Sequence, residues 1–173
     1  MSQAIYTASA ESFTGALNSL AAILAQAAAR EDAASLPGAR LAPDMFPLST
    51  QVQLTCFHAS NGTARLMGQE VAERPAIQEA DFSAMQALVT DTVTKLGKLT
   101  AAAFAGAEER RIVMALQPPM VLDIDGVNFV HRWLLPNFYF HYVTAYDILR
   151  ANGLAIGKRD FLSGLAGFMR QTG

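Results

Sequence analysis

Three histidines, His58, His131 and His141, and one cysteine, Cys56, are the side chains of this 173-residue chain with the widest chemical range. Imidazole ligates divalent metals and transfers protons near neutral pH, so the first question is which of these rings can share a point in space. At about 100° per residue, Asn137, His141, Thr144 and Ile148 fall on one stripe of a helix. Two polar groups one turn apart on a mostly apolar helix can converge on a single atom, which is how bundles build metal sites from facing helices. Gln51, His58 and Arg65 recur at sevenfold spacing on a second helical strip, so His58 can supply a further group. Gln51, Thr55, Arg65 and Tyr142 are candidates to orient such imidazoles and keep them neutral. A simpler alternative stands beside this one: a histidine among aromatic residues is more often a core or boundary side chain whose ring nitrogens bond backbone or water.

The remaining reactive groups point to structure. His131 lies beside Arg132 and Trp133, ahead of Pro136, where a surface or packing role fits. Cys56 falls on an apolar helix face and reads as a buried, inert thiol. As a lone cysteine it excludes an internal disulfide and any C-x-x-C site. Asp123 and Asp125 flank a turn and read as hairpin and capping residues, not an acid/base pair. Trp133, Phe138, Tyr139, Phe140, Tyr142 and Tyr146 cover several helix faces at once, which suits bundle core or a dimer surface better than a ligand box. The chain has no G-x-G-x-x-G, G-x-x-x-x-G-K or G-x-S-x-G, so neither a phosphate-cradling loop nor a nucleophile elbow is available.

The elements that must position the histidines follow from periodicity. Phe13, Leu17, Leu20, Leu24 and Ala27 recur at steps of three and four, predicting a first helix over Ala8 to Ala29. Pro37, Gly38 and Pro43 interrupt the next segment, and Pro47 suits the first position of a second helix reaching Met67, with Leu48, Val52, Cys56, Ala59 and Leu66 as its apolar face. Gly68 to Pro75 is a polar connection. Asp81 can cap a third helix whose seam runs from Phe82 through Met85, Val89, Leu96 and Leu99 to Ala103. Alternation at Ile112, Met114 and Leu116 and again at Leu122 and Ile124, around Pro118-Pro119, predicts a small hairpin. A fourth helix spans Val127 to Ile148 with Asn152-Gly153 as its stop, and Pro136 should kink or break it near Leu135. A short packing helix starts at Asp160. The expected architecture is all-α: one four-helix-bundle domain over 1–173, with a β-hairpin between helices three and four.

Composition sets the outer bounds. With 51% apolar residues and 16% charged, the chain has the make-up of a folded globular domain that needs no metal or disulfide to hold it. Alanine, the best helix former, supplies 31 residues, in keeping with a helical core. Thirteen basic against fifteen acidic side chains leave a formal charge of −2, and Arg110-Arg111 and Lys158-Arg159 are the only adjacent basic pairs, which argues against nucleic acid as a partner. No run approaches the ~20 apolar residues of a bilayer span, and no basic residue precedes Arg30, so neither membrane nor secretory signal is expected and the cytoplasm is the natural location.

The strings Ala39-Arg-Leu-Ala-Pro-Asp-Met-Phe-Pro-Leu48, Leu135-Pro-Asn-Phe-Tyr-Phe-His141, Ala145-Tyr-Asp-Ile-Leu-Arg-Ala-Asn-Gly153 and Ile156-Gly-Lys-Arg-Asp-Phe161 resemble an uncharacterised bacterial family, the domain of unknown function numbered nineteen ninety-three. That family is similar, more distantly, to the DinB-like four-helix bundles. Their members often bind a divalent metal through one histidine of the second helix and an H-x-x-x-H pair of the fourth. The resemblance implies His58 and His141 as ligands, with Asn137 where the third histidine would stand. An amide oxygen binds zinc or nickel much more weakly than imidazole does. Two functions are therefore expected to compete. One is a pocket between helices two and four with a weak or degenerate zinc or nickel site, and with transferase-like chemistry. The other is a non-catalytic homodimer acting through an interface or a small-ligand pocket.

Overall fold

The computed structural model describes residues 2–71 and 76–170, with backbone alone at 166 and 167. The end of the expected polar connection, 72–75, lies outside the described residues. The first helix, α1, begins earlier than its periodicity suggests and combines an α-helical turn at Ser2–Tyr6, a π turn at Thr7–Glu11 and an α-helix at Ser12–Ala28. Ile5 is buried and Tyr6 meets the edge of Phe104, so this extra turn earns its order from tertiary contact. The hydroxyls of Ser9 and Ser12 donate to the carbonyls of Ile5 and Thr7, satisfying backbone that the wider turn leaves poorly paired.

Helix α2 spans Leu48–Leu66, and Pro47 precedes it as an extended cap residue instead of opening it. Its five predicted apolar positions, Leu48, Val52, Cys56, Ala59 and Leu66, are all in the core. Helix α3 spans Phe82–Leu96, opened by Asp81, whose side chain accepts from the Ala84 amide at 2.8 Å. It stops seven residues short of the expected Ala103. Gly97 lowers helix propensity at that point, and the chain turns so that a separate 3-10 turn, Ala101–Phe104, can drive Phe104 into the core. The hairpin pairs β1 (Arg111–Ala115) with β2 (Val121–Asp125) antiparallel, Val113 opposite Asp123.

Helix α4 corrects one expectation. Pro136 does not break it: an α-helical turn Gly126–Asn128, a π turn Phe129–Leu134 and an α-helix Leu135–Ala151 run on without interruption. Proline cannot donate to the carbonyl of Arg132, four residues back, and would clash with it in a regular helix. The widened turn ahead of Pro136 absorbs that mismatch, and the Asn137 side chain donates to the Trp133 carbonyl at 2.7 Å. Asp125 caps the start by accepting from the Asn128 amide, and Gly153, at φ +83°, forms the left-handed stop. A short α5, Lys158–Phe161, and a 3-10 turn, Ser163–Phe168, close the chain over α1.

The helices form a ring in the order α1, α3, α2, α4. The closest packing is α2 on α4, followed by α1 on α3 and α2 on α3, whereas α1 reaches α2 through its π turn. An all-α bundle with an inserted hairpin therefore places the two histidine-bearing helices side by side. Among the described residues no helix is long and apolar enough to cross a membrane.

Candidate functional site

His58 sits in the middle of α2 and His141 in the second turn after Pro136 on α4. Their ring centroids are 5.4 Å apart with planes only 9° from parallel. His141 is 9% exposed, and His58 is half-buried. Each ring meets the edge of the phenylalanine preceding it in sequence: Phe57 and His58 at 5.4 Å, Phe140 and His141 at 5.2 Å. Two Phe-His dipeptides on neighbouring helices thus bracket one site. Phe57 was not singled out in the sequence, and Phe140 entered only as one of the aromatic residues of the fourth helix, although the repeated dipeptide was the available signal.

Gln51, one of the predicted supporting residues, fixes the chemistry of His141. Its amide nitrogen donates to the Phe46 carbonyl at 3.1 Å, which turns its carbonyl oxygen toward His141 Nδ1 at 2.8 Å. A carbonyl oxygen only accepts, so Nδ1 carries the proton in this bond, and in the neutral form of the ring the lone pair is left on Nε2. Gln51 is 1% exposed, and a buried amide with both ends committed holds its orientation firmly.

The other supporting candidates are engaged elsewhere. Thr55 donates to the Gln51 carbonyl of its own helix. Tyr142 stacks on Phe161 at 4.4 Å and donates to the Phe161 carbonyl at 3.2 Å, with burial pushing its hydroxyl pKa well above the ordinary value. Arg65 donates to Asn61 on α2. Asn137, the third ligand implied by the resemblance, is half-buried one turn before His141 and spends its amide nitrogen on its own helix, leaving Oδ1 as its remaining donor atom. His131 is exposed. Cys56 is buried, and desolvation pushes its thiol up to about 12, as an inert thiol requires. Asp125 caps α4, while Asp123 pairs with Arg111 across the hairpin.

Among the described residues no three His, Cys, Asp or Glu side chains gather at one point. The donors that the family resemblance implies are neutral: two imidazoles and, at Asn137, an amide oxygen. Imidazole suits zinc and nickel in kind, and two rings on one tetrahedral zinc have centroids about 5 Å apart, but rings only 9° from parallel aim their lone pairs at one atom only where they are also coplanar. Without an anionic ligand the affinity would be low.

Among curated proteins none matches this chain. The crystal structure of a DinB family member protein from Shewanella denitrificans is 34% identical, with 93% of each chain covered and a TM-score of 0.84. The model of the domain of unknown function DUF1993 matches residues 5–162. Nearly the whole bundle, both Phe-His dipeptides included, falls within that match, and the chain belongs to the DUF1993 family with a DinB-like fold.

Proposed function

We propose that the space beside His58 and His141, between α2 and α4, is a small-molecule site of transferase-like character, with a weakly held divalent ion as its cofactor. The observation that carries this reading is the closeness of the two imidazoles, 5.4 Å between ring centroids, one of them held at Nδ1 by Gln51. His58, His141 and the Asn137 amide oxygen would hold the ion; once bound, it would supply Lewis acidity toward a water or thiol. The chain's own contribution is orientation. Gln51 keeps the basic nitrogen of His141 on the side away from the amide, and Phe57 and Phe140 cover one edge of each ring. The test is calorimetric titration of tag-free protein with zinc, nickel and manganese. One ion per chain is expected, lost in His58→Ala and His141→Ala, and the absence of stoichiometric binding overturns the reading.

A second reading draws on a different observation. Phe140 is 59% exposed, and Tyr139 and Val143 are exposed beside it, so α4 presents an apolar outer strip next to the histidines. In this reading the chain is a non-catalytic homodimer joined along that strip. Sedimentation equilibrium would show a dimer that Phe140→Asp dissociates; a monomer throughout the micromolar range rejects it.

A further inference from the structure

Arg65, grouped in sequence with Gln51 and His58, takes no part in the histidine pair. It lies two turns further along α2, about 10 Å on by helical rise, in a cleft of about 300 Å³ between the end of α2 and strand β1, lined also by Gly68, Gln69, Arg110, Arg111 and Ile112. Three arginines line it. Arg111 is held by Asp123 through its Nε at 2.8 Å. Among the described residues no carboxylate lies within ion-pair distance of Arg65 or Arg110.

Arg110 has a structural task. Its Nε donates to the Leu66 carbonyl at 3.0 Å and its Nη2 to the Ala105 carbonyl at 3.2 Å. It lies so close over Gly68 that a Cβ there would come within 2.3 Å of Nη1, and Gly68 itself has φ +72°. The carbonyl end of α2, whose partial negative charge would repel an anion, is thereby covered by a cation. Arg65 is different. Asn61 Oδ1 takes its Nε at 2.8 Å, and the two Nη groups make no hydrogen bond to another described residue. Partial burial lowers the pKa of this guanidinium, the mark of a cation stripped of some of its water. A guanidinium oriented at Nε with its Nη edge free is the form that grips a planar or tetrahedral oxyanion through two parallel bonds.

We infer that the cleft at the end of α2 binds the oxyanionic group of a small molecule, a phosphate or a carboxylate, with Arg65 as its principal contact. This site is separate from the histidine pair and does not depend on it. The test is NMR titration of the full chain at low ionic strength with inorganic phosphate, pyrophosphate and succinate, whose relative affinities distinguish a phosphate from a carboxylate ligand. Saturable shifts are expected at the amides of Gly68, Gln69 and Ile112. Arg65→Gln should weaken binding about tenfold or more, with the circular dichroism spectrum unchanged. Asp123→Asn removes the carboxylate that competes for Arg111 and should tighten binding about threefold. No saturable binding of any probe overturns the inference, as does equal binding by Arg65→Gln. If Arg65→Gln fails to fold, Asp123→Asn decides: unchanged or weaker binding rejects the site.

Discussion

Gln51 is the residue on which the site's chemistry turns. Gln51→Leu keeps the bulk but leaves the Phe46 carbonyl and His141 Nδ1–H without their partner, and should cost about 1–3 kcal/mol in urea denaturation. Nitrogen shifts of the His141 ring should then move from a single Nδ1–H tautomer to a mixture. A ring that stays wholly in its original tautomer contradicts the role given to the amide. Cys56 supplies a pH prediction. Its thiol is raised from an ordinary value near 9.0 to about 12, so the unfolded state loses its proton first. The stabilisation from this group is complete below about pH 9 and declines as the pH rises toward 12. Native protein should resist thiol reagents at pH 8 and react fully once denatured. Rapid labelling of folded protein would place the thiol outside the core.

At this scale the sequence was informative in direction and weak in reach. Helical spacing put Gln51, His58 and His141 on usable faces, because azimuth follows from residue number. It could not tell that Thr55 would take the local option of bonding back to its own helix, or that Tyr142 would turn to Phe161, a neighbour brought by another element.

Elements were legible where a local signal was strong. Asp81 capped α3 as its position predicted, and Asp81→Ala should cost about 1 kcal/mol, seen as a lowered denaturation midpoint with an unchanged slope. The hairpin followed from alternation around Pro118-Pro119. Two boundaries were not legible. The third helix stops at Leu96 because Phe104 is needed in the core, and α4 passes Pro136 because a π turn takes up the mismatch. Proline and the wide turn therefore form a matched pair. Deleting one residue within 129–134 should be far more damaging alone than together with Pro136→Ala, and a double-mutant cycle measures the coupling. Additive effects would show that the turn has another cause.

For the whole molecule, the bundle could be read from three amphipathic helices and a fourth apolar, aromatic one, and the family resemblance agreed with the matched family and solved structure. How the hairpin docks could not. Gly126 is pressed so closely to the Ala107 carbonyl that an added Cβ would sit 1.7 Å from it. Nothing in the local pattern marks that contact. Gly126→Ala should destabilise the fold toward the upper end of the ~1–3 kcal/mol range for overpacking, or beyond it, measurable as a lower melting temperature; a neutral outcome would mean the loop yields easily. The ring order bears on assembly as well. The first two helices of this sequence touch each other mainly through one short stretch, and each packs most closely on a helix encoded later in the message. A ribosome that has released only the opening seventy residues therefore presents apolar stripes with little to cover them, and the nascent chain stays open to chaperones until the second half emerges.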